Sequence, residues 1–137
     1  AVGSAEVSVT NGVAGYRGYK DLRVYQLAYS LAMEIFQETK KFPVEERYSL
    51  IDQIRRCSRS IPTNLAEAWK KRKYEKAFVS KLIDCSSEAA EVEVWIDFSL
   101  DCGYLQKDRH QYFTRKYDEI NKMLYSMINQ PEKFVAK

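Results

Sequence analysis

From Leu50 to Trp69 the apolar residues recur three and four apart, as Leu50/Ile51, Ile54, Cys57, Ile61, Leu65 and Ala68/Trp69, and the pattern keeps its phase through Pro62. A helix that stopped at the proline would leave no reason for that register to continue. The spacing therefore predicts one long second helix, kinked at Pro62, with Glu45 and Glu46 in its first turn. The ring removes the hydrogen bond to the Ser58 carbonyl and presses against it. Ser58, Ser60 and Thr63 can offer hydroxyls to the loosened backbone.

Three other stretches carry the same period. Val24, Ala28, Leu31 and Ile35, with Tyr25, Ala32 and Phe36 beside them, predict a first helix from Asp21 to about Lys41, with Asp21 as its N-cap. Phe42-Pro43 ends it. Phe78, Leu82, Cys85, Ala89, Val92, Ile96 and Ser99 predict a third helix from about Glu75 to Cys102, stopped by Gly103 at C′. Phe113, Tyr117, Ile120, Leu124 and Met127/Ile128 predict a fourth, ended by Pro131. Long amphipathic helices on short links become antiparallel neighbours, so the expected class is all-α, an up-down-up-down antiparallel four-helix bundle.

The 137 residues suffice for one such domain, placed at residues 19–130. Residues 1–18, rich in Gly, Ala, Ser and Val and without a stripe, read as a flexible N-terminal tail, and 131–137 as a C-terminal one. No stretch has a signal-peptide pattern or the apolar length of a membrane span. Cys57, Cys85 and Cys102 are odd in number and in no CxxC spacing, which fits reduced thiols, a cytoplasmic location and no membrane partner.

Catalytic patterns are missing. A carboxylate-bridged metal pair in a helical bundle takes two Glu-x-x-His units, and His110 is the sole histidine. Glu88, Glu91, Glu93, Asp97 and Asp101 could be arranged as an all-oxygen magnesium site only by special pleading. No phosphate loop, HExxH or GxSxG is present, and Cys57 and Cys85 sit on core faces without a basic partner. The expectation is no enzyme, no metal and no cofactor.

Charge is distributed unevenly. Arg55, Arg56, Arg59, Lys70, Lys71, Arg72, Lys73 and Lys76 face only Glu67 and Glu75 in the stretch 55–76, a local balance of +6, whereas 77–102 balances to −5. If the second and third helices turn back near Tyr74, positions whose numbers sum to about 148 lie level. Arg55 would then pair with Glu93, and Arg59 with Glu88 or Glu91. Lys70, Lys71, Arg72, Lys73 and Lys76 crowd the turn itself, which makes them candidate phosphate contacts, with Arg56 and Arg59 secondary and Trp69 and Tyr74 placed to stack on a base. A solvated helix end that serves solubility is the competing reading.

Residues 21–36 hold eleven apolar positions in sixteen, more than one core-facing stripe requires. The surplus fits burial against another subunit, with Tyr25, Tyr29, Met33, Phe36, Trp69, Trp95 and Phe98 as anchors, or else a thick monomeric core.

Several short motifs occur in order: Lys20-Asp21-Leu22, Phe42-Pro43 with Glu45-Glu46-Arg47-Tyr48, Gln53-Ile54-Arg55-Arg56, Ser60-Ile61-Pro62 with Asn64-Leu65-Ala66-Glu67, and Gly103-Tyr104-Leu105. Over residues 19 to about 128 the chain closely resembles the four-helix-bundle proteins encoded by intervening sequences in bacterial 23S ribosomal RNA genes. It departs at Ala68, where such proteins often carry glycine. The resemblance implies barrel-like homopentamers without enzymatic activity, similar to accessory proteins of diversity-generating retroelements that bind nucleic acid and a reverse transcriptase. The expected function is a homo-oligomeric bundle that binds RNA or another nucleic acid through its basic surface. A protein-interaction scaffold, such as an accessory subunit of a reverse transcriptase, is the alternative.

Overall fold

The computed structural model of the chain describes residues 15–135, and every regular element among them is helical. Four long helices, α1 (Arg23–Thr39), α2 (Leu50–Lys70), α3 (Glu75–Asp101) and α4 (Lys107–Asn129), each pack on the next, and α1 also meets α4. The apolar stripes read from the sequence form the core. Leu31 and Ile35 of α1, Ile54, Ile61 and Leu65 of α2, Phe78 and Leu82 of α3, and Phe113, Tyr117 and Ile120 of α4 are all essentially without solvent contact.

Cross-helix pairs run in opposite chain order, as antiparallel packing requires. Glu67 meets Lys81 at 2.6 Å while Arg56 meets Glu91 at 3.7 Å. Arg109 at the start of α4 reaches Glu34 at 3.1 Å and Glu38 at 3.3 Å near the end of α1.

Pro62 lies inside α2, which continues unbroken past it, and the side chain is buried. The neighbouring polar side chains bond back to their own helix: Ser58 Oγ to the Arg55 carbonyl, Ser60 Oγ to that of Cys57, Thr63 Oγ1 to that of Arg59 and Asn64 Nδ2 to that of Ser60, at 2.9–3.1 Å. None of these acceptors is the Ser58 carbonyl that the proline leaves without its helical donor.

Helix ends differ from the sequence expectation where a polar residue takes another partner. Asp21 belongs to a 3-10 turn, Tyr19–Asp21, and its carboxylate accepts from the Arg17 amide at 2.7 Å, so α1 begins at Arg23 with Leu22 in extended backbone before it. Glu45 and Glu46 likewise fall in a 3-10 turn, Val44–Glu46, ahead of α2. Glu46 still serves that helix start, because its Oε1 accepts from Ser49 Oγ and from the Leu50 amide, while Oε2 accepts from the Tyr104 hydroxyl at 2.8 Å. Gly103 does what was expected of it. At φ +78° it lets its own amide reach the Leu100 carbonyl and the Tyr104 amide reach that of Ser99, closing α3 with paired backbone bonds.

Residues 18 and 131 do not mark the limits of packing. The Tyr16 ring lies edge-on to Trp69 at 5.7 Å and stacks on Phe134 at 5.8 Å, and Phe134 in turn meets Phe78 at 6.3 Å. Tyr16 and Phe134 thus pack onto one end of the bundle, and the rest of both expected tails beyond residues 15–18 and 131–135 lies outside the described residues.

Candidate nucleic-acid interface

The α2–α3 turn concentrates cations because α2 ends in a lysine run just where the chain reverses. Lys70, Lys71, Lys73 and Lys76 are exposed, and none has a carboxylate within ion-pair distance among the described residues. Glu67, the nearest acid on α2, is committed to Lys81, whose ammonium also donates to Asn64 Oδ1 at 3.2 Å. The bond and charge of Lys81, with a smaller contribution from the charge of Lys71, hold the Glu67 carboxyl below its ordinary range.

Arg72 behaves differently from the lysines around it. Its guanidinium lies 3.7 Å from the centre of a Trp69 ring, donates to the Trp69 carbonyl at 3.0 Å, and keeps a buried Nε without a partner. Arg72 covers Trp69 from one side and Tyr16 from another, leaving the indole 6% exposed. Trp69 is therefore a core residue of its own chain, and neither a base nor a second subunit reaches it in this arrangement. Tyr74 remains open at the turn, 66% exposed.

The arginines of α2 leave the pairing that sequence alone assigned to them. Arg55 turns away from Glu93 toward α1, where Nε donates to Thr39 Oγ1 at 2.8 Å and Nη2 to the Phe36 carbonyl at 3.3 Å. Arg59 reaches neither Glu88 nor Glu91 and stands 5.6 Å from the Phe36 ring centre, over which Arg55 and Lys40 also lie, each at 4.7 Å. It is Arg56 that meets Glu91, while Glu93 accepts from Asn121 at 2.9 Å. The level of the two helices was legible; which arginine faced α3 was not.

Among the expected interface anchors, Tyr29, Met33 and Phe98 are about half exposed, and Tyr25, Phe36 and Trp95 are half-buried. Tyr25 lies between Tyr19 at 5.1 Å and Tyr29 at 6.0 Å, whereas Trp95 and Phe98 form a separate pair at 5.7 Å on α3. Phe36 differs from the rest, since its ring is flanked by three cations.

The titratable groups of the interior suit packing rather than reaction. Burial pushes both the Cys57 and the Cys85 thiols up to about 12, which keeps them protonated and weakly nucleophilic at neutral pH. Among the described residues no group of three or more His, Cys, Asp and Glu side chains is arranged to hold a metal, and no helix is long and apolar enough to cross a membrane.

The family model described as 23S rRNA-intervening sequence protein matches residues 20–126. The chain is also similar to the 1.70 Å crystal structure of a protein with unknown function from the S23 ribosomal protein family of Bacteroides thetaiotaomicron VPI-5482, with a TM-score of 0.70 and 27% identity, over 77% of this chain and 97% of that one. None of the curated proteins matches.

Proposed function

This chain belongs to the 23S rRNA-intervening sequence protein family, and from that footing we propose that it is a non-enzymatic, homo-oligomeric helical bundle that binds RNA or another nucleic acid through a basic surface. The observation that carries the reading is the run Lys70, Lys71, Lys73 and Lys76, exposed and without a carboxylate at ion-pair distance among the described residues, Lys71 feeling Glu67 only from farther off, while Lys81 nearby is paired with Glu67. Unpaired cations held close together gain most from a phosphate backbone, whose condensed counterions they release. Arg72 supports the turn through Trp69, and Arg56 and Arg59 extend the cationic surface along α2. Nothing in the arrangement favours base-specific contacts, so affinity without strong sequence preference is expected.

Self-association is part of the proposal, because it would multiply the cluster. Tyr25, Tyr29 and Met33 on α1 and Trp95 and Phe98 on α3 are apolar surfaces on two different helices, which suits a closed ring of copies; the family resemblance implies five. Copies related by rotation would carry their lysine turns on one rim. A cytoplasmic location fits the free thiols.

A second reading, a protein-interaction scaffold or accessory subunit of an enzyme such as a reverse transcriptase, is favoured by Val94 and Phe98, both about half exposed on the acid-rich helix α3. Pull-down from nuclease-treated lysate separates the two. A scaffold keeps its partner after digestion, and a nucleic-acid binder loses what it captured. Charge reversal at Lys70, Lys71 and Lys73 tests the first reading directly, since it must weaken RNA binding without altering the helical content.

A further inference from the structure

We infer that the groove on the outer face of α2 lined by Arg47, Arg55, Arg56 and Arg59 is a seat for phosphate groups. Four arginines line one shallow groove of about 620 Å³, in which Asp52 is the only acidic lining residue among the described residues, and one of the four, Arg55, also spends Nε and Nη2 on α1. Arg47, Arg55 and Arg59 have no ion-pair partner among the described residues, and the contact of Arg56 with Glu91 is a long one at 3.7 Å. Planar guanidinium forks match the paired oxygens of a phosphate better than lysine ammoniums do.

Aromatic rings lie beside three of these side chains. Phe36 supports Arg55 and Arg59 through its ring, and Tyr48, itself 84% exposed, supports Arg47 at 5.8 Å. Burial, and to a lesser degree the neighbouring Arg59, push the Arg55 guanidinium below its ordinary value, so the like charge of Arg59 is felt at Arg55.

A plainer account is that the cations answer the negative end of α1. That account covers Arg55, which donates to the Phe36 carbonyl. It does not cover Arg47 or Arg59, for which no hydrogen bond to an α1 carbonyl is formed. The seat lies more than ten residues along α2 from the lysine turn, so the two cationic regions can be tested apart. It rests on the nucleic-acid reading only for the source of its phosphate.

The test follows the arginine Nε–H signals of the full chain by NMR while sodium phosphate is titrated against sodium chloride at matched ionic strength. The seat requires the Arg55 and Arg59 signals to shift saturably with phosphate and not with chloride. Arg47→Glu with Arg59→Glu should weaken phosphate binding roughly tenfold or more, since two charge-assisted contacts are lost. Arg47→Lys with Arg59→Lys should keep part of it, and charge reversal at Lys70, Lys71 and Lys73 should leave it intact.

An RNA oligonucleotide that competes for the same signals identifies the backbone as the source. Phosphate binding without such competition keeps the seat and removes the nucleic-acid reading from this face. Signals that follow ionic strength alone would overturn the inference. So would glutamate variants that change the particle's solution mass while phosphate binding persists, because the groove would then be holding carboxylates of a second copy.

Discussion

Arg55 stands with its guanidinium 4.7 Å from the centre of the Phe36 ring while donating to that residue's carbonyl at 3.3 Å and to Thr39 Oγ1 at 2.8 Å. One side chain of α2 thus fixes the last turn of α1, where carbonyls lack helical donors. Arg55→Lys keeps the charge and loses the fork, and should cost about 1–2 kcal/mol. Urea denaturation of the two proteins measures the difference, and equal midpoints would mean that the contact does not hold α1 in solution.

The fold was legible in the sequence because helical period is a property of many residues at once. All four stripes, the passage through Pro62 and the stop at Gly103 are read correctly from spacing and from one backbone requirement. Boundaries were less legible, since Asp21 and Glu46 each had several donors within reach and the choice depended on Arg17 and on Tyr104, fifty-eight residues away from Glu46. The site was legible only in part. The exposed lysines follow from their place at a turn, but the burial of Trp69 depends on Tyr16, which lies in a segment with no pattern to place it, and the turning of Arg55 toward α1 depends on helix packing geometry.

The hydroxyl of Tyr117 lies in the core with no hydrogen-bond partner among the described residues. Burial drives its pKa far above the ordinary phenol value. An unsatisfied buried hydroxyl is destabilising, so Tyr117→Phe should raise stability by about 1 kcal/mol. A rise in the denaturation midpoint at constant slope checks this, and a fall would show that the hydroxyl has a partner, such as a buried water.

Gly103 at φ +78° has nothing within 4 Å of where a Cβ would stand, so space is not what excludes a side chain there. Gly103→Ala should still cost about 1 kcal/mol through the left-handed backbone alone. A larger loss would point to a clash with the α3–α4 link.

The Glu46–Tyr104 hydrogen bond gives stability a pH dependence of known sign. Accepting from Ser49 and Tyr104 holds the Glu46 carboxyl below its ordinary range, so its contribution is present above the unfolded carboxylate value and fades as acid titrates the folded one. The same bond pushes the Tyr104 phenol up to about 12, so its contribution is complete below the ordinary value of 10.0 and disappears as pH rises from there toward 12. Stability compared between the native chain and Tyr104→Phe should differ by a constant amount near neutrality, with the gap closing above the ordinary phenol value. A gap unchanged across that alkaline window would contradict the bond.

Phosphate contacts made by cations that the fold leaves without an ion pair are tested most directly by a titration of RNA binding across salt concentrations. Neutralising four or five phosphates predicts a slope of log affinity against log salt of about −3 to −4, shallower by about one unit for each turn lysine removed. A flat dependence, or a slope that charge reversal at Lys70, Lys71 and Lys73 leaves unchanged, would contradict such contacts.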